Sequence, residues 1–112
     1  MTTGGCVVTA THPLDYRRGM PSDLTSDQIS DFSADHPDWI RDDESISRTY
    51  VFTDFNEAMG FVTRVGLASE VADHHPDIDI RWNKVAIVLS THSEAALTSK
   101  DLNLAAQFDK FA

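Results

Sequence analysis

From Leu24 onward the chain switches between stretches with a helical period and stretches with a two-residue period, and caps, turns and prolines mark the breaks. Thr25 followed three positions later by Gln28 has the form of a capping box. Leu24 and Ile29 occupy the flanking positions of a hydrophobic staple, so a helix is predicted to start at Ser26. Its apolar stripe is narrow, Ile29 and Phe32, while Asp23, Asp27, Asp31 and Asp35 recur at every fourth position and would stack on one side. Like charges so close are tolerable where water screens them, so the stripe reads as an outer face and not as a metal site. Pro37 stops this helix, because the residue before a proline is pushed out of the α region. Trp39 to Arg41 then reads as a short extended piece and Asp42-Asp43-Glu44 as a turn. Ile46 to Thr53 alternates, with Ile46, Tyr50 and Phe52 on one side and Ser47, Thr49, Val51 and Thr53 on the other, which predicts a hairpin.

Asp54 opens the strongest helix, with Glu57 placed to complement the cap and the helix dipole. Phe55, Ala58, Met59, Phe61, Val62, Val65, Ala68 and Val71 form a broad apolar stripe. Gly60 and Gly66 each cost about 1 kcal/mol against alanine, which suggests close packing on a neighbouring element. Pro76 requires the helix to end near Asp73 and His74. Ile78, Ile80 and Trp82 alternate with Asp79 and Arg81 as a half-buried strand, Asn83-Lys84 reads as a tight turn, and Val85, Ile87 and Leu89 define a second strand. Thr98 and Asp101 form another cap, flanked by Leu97 and Leu102. Leu102, Ala105, Ala106 and Phe108 mark a last helix. The order helix, strand, strand, helix, strand, strand, helix predicts an α+β fold with three helices on one face of a four-stranded antiparallel sheet.

A chain of 112 residues provides for one domain. Residues 1–20 show neither period and read as a poorly ordered extension, with Met20 a candidate alternative start, and residues 21–112 as the single domain. Nine Lys and Arg against eighteen Asp and Glu give a formal charge of −9, which opposes encounters with nucleic acid or anionic membranes. Cys6 is the only cysteine, so no intramolecular disulfide can form and a reducing, cytoplasmic location is expected. The longest apolar run, Val85 to Leu89, is far too short to cross a bilayer, and Met1 to Leu14 lacks the basic and apolar regions of a secretory signal.

Candidate chemistry gathers where elements meet. His74 and His75 sit at a predicted helix end and His92 at a strand end, whereas His12 and His36 lack any partner pattern and read as exposed loop residues. The chain break at Pro76 would allow neighbouring imidazoles to share a pocket. Imidazole titrates near neutrality, so such a group suits elimination of water: one ring protonates a departing hydroxyl while another group removes a proton from the adjacent atom. Asp73, Glu70 and Asp101 are the carboxylates placed to orient these rings or hold a substrate cation. A surface or capping role for His74 and His75 is the competing reading. A metal site of Asp73, His74, His75 and His92 matches neither an i, i+4 pair nor a cysteine framework. No phosphate loop, nucleophile elbow or cysteine–histidine nucleophile pattern occurs.

The segments DFNEAMGFVTRV, EVADHHPD, WNKVAIVLSTH and LTSKDLNLA, spread from Tyr50 to about Phe108, resemble the pterin-4a-carbinolamine dehydratases, a family also described as dimerisation cofactors of a transcription factor in animals. The resemblance implies that Asp73, His74, His75, Ser90, Thr91 and His92 line a pterin pocket, with His74 and His92 as acids toward the 4a-hydroxyl and His75 mainly binding substrate. Glu70 and Asp101 match acidic positions near that pocket, and Trp39 an aromatic beside it. The implied reaction converts 4a-hydroxytetrahydropterin to quinonoid dihydropterin and water, the tetrahydrobiopterin recycling step after aromatic amino-acid hydroxylation, with no metal or cofactor. It further implies a homodimer or homotetramer and an aromatic amino-acid hydroxylase in the same pathway. Ala96 departs from the family's usual glycine before the leucine of LTSKD, which would stiffen or shift the turn after His92. The competing class is a binding module on the same fold, an assembly or transcriptional cofactor, for which the acidic first helix would serve as partner surface.

Overall fold

The computed structural model describes residues 23–112; Cys6, His12, Met20 and the reading of residues 1–20 as an extension lie outside them. The elements are α1 (Ser26–Asp35), β1 (Ile40–Asp42), β2 (Ser45–Val51), α2 (Phe55–Ala72), β3 (Asp77–Arg81), β4 (Lys84–Ser90), a 3₁₀ turn at His92–Glu94 and α3 (Ser99–Phe111). This is the predicted α+β order. The strands lie side by side as β1, β2, β4, β3, every neighbour antiparallel.

Register decides which side chains meet the helices. Ile46 lies opposite Leu89, Arg48 opposite Ile87 and Tyr50 opposite Val85, while Ile78 and Ile80 of β3 lie opposite Ile87 and Val85. Residues in such rows share one sheet face, and that face meets Ala58, Phe61 and Val65 of α2 and Leu104, Ala105 and Phe108 of α3 in one core. Phe61, Phe108, Ile87 and Leu89 are fully buried, each worth about 1.5–3 kcal/mol in removed apolar surface. The other face carries Ser47, Thr49 and Ala86 between the exposed Ile40 and Val51.

The caps form as the residue types require. Gln28 N–H donates to Thr25 Oγ1 at 3.1 Å and Gln28 Oε1 accepts from Thr25 N–H at 2.8 Å. Asp54 accepts from Glu57 N–H at 2.9 Å, and Glu57 reaches back to Thr53 N–H. Helix α1 buries no residue fully, but Leu24 and Phe32 pack on the core. Asp23 is not part of its acidic face: it precedes the helix, and its carboxylate accepts from the N–H and hydroxyl of Ser99 at the start of α3.

Three further sequence expectations need correction. Gly66 has open space where a side chain would start, and at Gly60 that position meets only the Arg64 guanidinium at 3.6 Å, so neither glycine admits a close neighbour within the described residues. The β3–β4 turn is Trp82-Asn83, with Trp82 at φ 53°, one residue earlier than expected, and Lys84 already belongs to β4. His36 is not an exposed loop residue. It caps α1, stacks on Phe32 at 4.8 Å between ring centres and bonds through Nδ1 to Asp109 at 2.6 Å. No helix among the described residues is long and apolar enough to cross a membrane.

Candidate active site

Helix α2 stops because Asp73 turns into the left-handed region at φ 52°, a conformation aspartate tolerates better than most side chains. Its N–H still reaches Glu70 O at 3.1 Å, and the His74 N–H reaches Ser69 O at 3.1 Å. This hooked end sends neighbouring imidazoles to different elements. His74 turns toward α3, where its Nε2 lies 2.6 Å from Asp101 Oδ1; His75 turns back along α2, where its Nε2 lies 2.6 Å from Glu70 Oε1. The environments also differ: the His74 side chain is 11% exposed against 48% for His75, so one ring is sheltered and the other open to solvent. The Asp73 carboxylate itself is exposed.

His92 lies just beyond the end of β4. After β4, Thr91 pairs with Ala96 in an isolated antiparallel bridge, which closes a tight loop around the 3₁₀ turn. Closure puts one residue in the left-handed region, Ala95 at φ 51°, one position before the Ala96 that departs from the family's glycine. Alternation across the strand end turns Thr91 inward and His92 outward, and the Ser90 hydroxyl lies 3.4 Å from His92 Nε2.

Asp101 joins these two stretches. It is the third residue of α3 and fully buried, where the helix N-terminus favours its negative charge. Oδ1 faces His74, while Oδ2 accepts from the Thr91 hydroxyl at 2.9 Å and from Thr98 N–H at 2.9 Å. The Thr91 and Thr98 hydroxyls are 2.6 Å apart. A carboxylate held this way can fix the orientation of the His74 ring, while His75 and His92 remain accessible from solvent. Among the described residues, no three histidine, cysteine or acidic side chains are grouped to hold a metal ion. A cavity of about 420 Å³ borders the same loop through Ala95 and Leu97, but no histidine lines it.

The structure thus links His74, Asp101 and Thr91 by hydrogen bonds, while Ser90 and His92 flank Thr91 along the chain and contact each other, and His75 pairs with Glu70. Trp39 is joined to a different cluster. Its indole N–H donates to Asp109 at 3.0 Å, eight residues beyond Asp101 and so about 12 Å along α3. Asp109 also accepts from Tyr50 OH, from Arg48 Nη1 at 2.9 Å and from His36. Arg48 stacks its guanidinium over the Tyr50 ring at 4.3 Å and reaches Asp38 at 3.3 Å. Burial alone would raise the Asp109 pKa, but the hydrogen bonds from Tyr50, Trp39 and His36 and the Arg48 charge outweigh it and hold it below the usual value. Burial and the bond to Asp109 push the Tyr50 hydroxyl far above its ordinary range. Sequence reasoning missed this cluster, though one signal pointed to it: Arg48 falls in the inward phase between Ile46 and Tyr50, and an inward cation needs a buried partner. Thr98 was read only as a cap, with no sign that its hydroxyl would meet Thr91.

The chain matches known proteins along most of its length. The family model described as pterin 4 alpha carbinolamine dehydratase matches residues 22–111. A protein of Nocardia farcinica assigned as a pterin-4-alpha-carbinolamine dehydratase is 49% identical over 94 residues, covering 83% of this chain and 99% of its own. One from Mycobacteroides abscessus, assigned likewise, is 48% identical over 86 residues, covering 77% and 92%. Among solved structures, a transcriptional coactivator/pterin dehydratase from Brucella melitensis superposes with a TM-score of 0.73 at 32% identity, covering 80% of this chain and 97% of its own. A pterin dehydratase-like RuBisCO assembly factor of the alpha-carboxysome, at 20% identity and a TM-score of 0.57, shares the fold, covering 66% of this chain and 86% of its own.

Proposed function

The chain belongs to the pterin-4-alpha-carbinolamine dehydratase family, and from that premise we propose that it dehydrates 4a-hydroxytetrahydropterin to quinonoid dihydropterin by histidine acid–base catalysis. The observation that carries the reading is the group formed by sheltered His74, its fully buried partner Asp101 and the Thr91–His92 stretch tied to the same carboxylate. In the reaction the 4a-hydroxyl takes a proton and leaves as water, the C4a–O bond breaks, and the N5 proton is lost as the C4a=N5 double bond forms. His74 and His92 supply the acid function toward the hydroxyl, because one is oriented by a carboxylate and the other is exposed on a short loop closed by the Thr91–Ala96 bridge. His75, open to solvent and backed by Glu70, binds substrate and accepts the departing N5 proton. Asp73 and Ser90 contribute the polar rim of the pterin site.

The physiological setting in this reading is tetrahydrobiopterin recycling in the cytoplasm, fed by an aromatic amino-acid hydroxylase. The working species is a homodimer or homotetramer, which would cover Leu67 and Val71, exposed at 65% and 89% on α2. Stopped-flow ultraviolet decay of enzymatically generated 4a-hydroxytetrahydropterin tests the activity. The native chain is expected to accelerate the decay, and His74→Ala and His92→Ala each to slow it by about 10²-fold, the magnitude of lost acid catalysis. A folded native chain without effect on the decay would refute the reading.

A further inference from the structure

Thr91 lies in the stretch that the family resemblance assigns to the substrate pocket, yet its hydroxyl points away from solvent. The residue is 3% exposed, and its Oγ1 has two close partners, Asp101 Oδ2 at 2.9 Å and Thr98 Oγ1 at 2.6 Å. A hydroxyl has one proton to give. Asp101 Oδ2 already accepts from Thr98 N–H and has none to return, so the Thr91 proton goes to Asp101 and the short contact between the threonines is donated by Thr98. The order of protons is therefore forced: Thr98 hydroxyl to Thr91 hydroxyl to Asp101 Oδ2. Two donors on that oxygen, one of them backbone, fix the carboxylate plane and aim Oδ1 at His74 Nε2, 2.6 Å away.

We propose, resting on the dehydratase reading, that Thr91 is a positioning residue rather than a substrate contact. With Thr98 it locks Asp101 so that His74 keeps Nε2 on the carboxylate and turns Nδ1 to the substrate. Thr98 enters the site twice, through its N–H bonded directly to Asp101 and through its hydroxyl as the outermost donor of the chain. The hydroxyls act on the proton-transfer step and not on binding, because the proton of Thr91 is already committed.

The test compares Thr91→Val, Thr91→Ser and Thr98→Val in the full chain by steady-state kinetics and by ¹⁵N-histidine NMR, with the His74 signals assigned through His74→Gln. Loss of one hydrogen bond to a charged group predicts that Thr91→Val lowers kcat about tenfold with KM within about twofold. Thr91→Ser should restore kcat to within about twofold, and Thr98→Val should lower it about threefold. In Thr91→Val the His74 ¹⁵N signals should shift as the Nδ1-protonated tautomer gains population. A tenfold rise in KM at unchanged kcat, or unchanged His74 signals, would overturn the proposal. Should Thr91→Val fail to fold, Thr98→Val decides, with unchanged kcat and unchanged His74 signals counting against the chain. If the native protein lacks dehydratase activity the functional reading falls, while the tautomer measurement still answers whether the threonines set His74.

Discussion

Removing the Asp109 carboxylate should be among the most damaging single changes away from the active site. Its two oxygens gather donors from four places in the sequence: His36 at the end of α1, Trp39 before β1, and Arg48 and Tyr50 on β2. In Asp109→Ala the Tyr50 hydroxyl and Trp39 N–H, both on buried residues, lose their acceptor, and Arg48 keeps Asp38 and the face of the Tyr50 ring. A neutral hydrogen bond is worth about 1 kcal/mol and one involving a charged group about 1.5–3 kcal/mol. These losses do not add fully, since His36 and Arg48 are a quarter exposed and water can replace part of what they lose. The expected cost is about 3 kcal/mol at pH 7, a large part of the 5–15 kcal/mol typical of a domain. The pH dependence has a definite sign. Folding holds Asp109 below the usual carboxyl value of 3.8, so on acidification the unfolded chain takes up this proton first. The stabilisation is in place above that value and drains away as pH falls through the lower folded pKa. Urea unfolding of the parent chain and Asp109→Ala from pH 7 to pH 2.5 should show the two stabilities converging at the acid end. A difference below about 1 kcal/mol at pH 7, or parallel acid limbs, would refute the reasoning.

Other expectations follow from single positions. Gly66→Ala should stabilise by about 0.8 kcal/mol, since the added methyl enters open space within a regular helix; thermal melting should show the rise, and a loss would mean that another molecule covers this face. Ala95→Gly should raise stability by roughly 0.5 kcal/mol, because relief of the left-handed strain outweighs the added freedom of the unfolded chain, again read by melting. Asp101→Asn retains the shape but turns an amide NH₂ toward either His74 or the threonine donors. Activity should fall about 10²-fold and stability by about 2 kcal/mol, measured by stopped flow and urea unfolding.

Periodicity made the elements legible because local chemistry and burial agree along most of the chain. Thr25 with Gln28, Asp54 with Glu57 and Pro76 act within a few residues of themselves, so their effects can be read without knowing the fold. The candidate site was legible in its parts, since His74, His75 and His92 fall at element ends, and Asp101 was named as a carboxylate able to orient a ring. Pairing was not. Which of two adjacent imidazoles meets Asp101, 27 residues away, depends on how α2 ends against α3. His36 looked partnerless for the same reason, its partner being 73 residues distant. The glycines misled because a low helix propensity shows only that a methyl is missing; whether another element uses the space is a tertiary fact.

Helix α3 explains why fold and site are hard to separate here. A fully buried carboxylate is costly unless its hydrogen bonds are satisfied, so Asp101 can remain at the base of the site only because Thr91 and Thr98 attend it. The Thr98 N–H belongs to the helix cap, and the Thr91 hydroxyl belongs to a loop that Ala95 closes at the expense of backbone strain. Two turns further on, Asp109 uses the same means to pin α1 and the hairpin. In the proposed function one cluster therefore orients the chemistry, and the other holds the sheet against the helix that carries it. Damage to Asp109 should reach the active site only through loss of folded protein, leaving kcat per folded molecule intact, whereas damage to Asp101 should lower both. Activity normalised to the folded fraction separates these outcomes, and a fall in normalised kcat for Asp109→Ala would show that the two ends of α3 do not act independently.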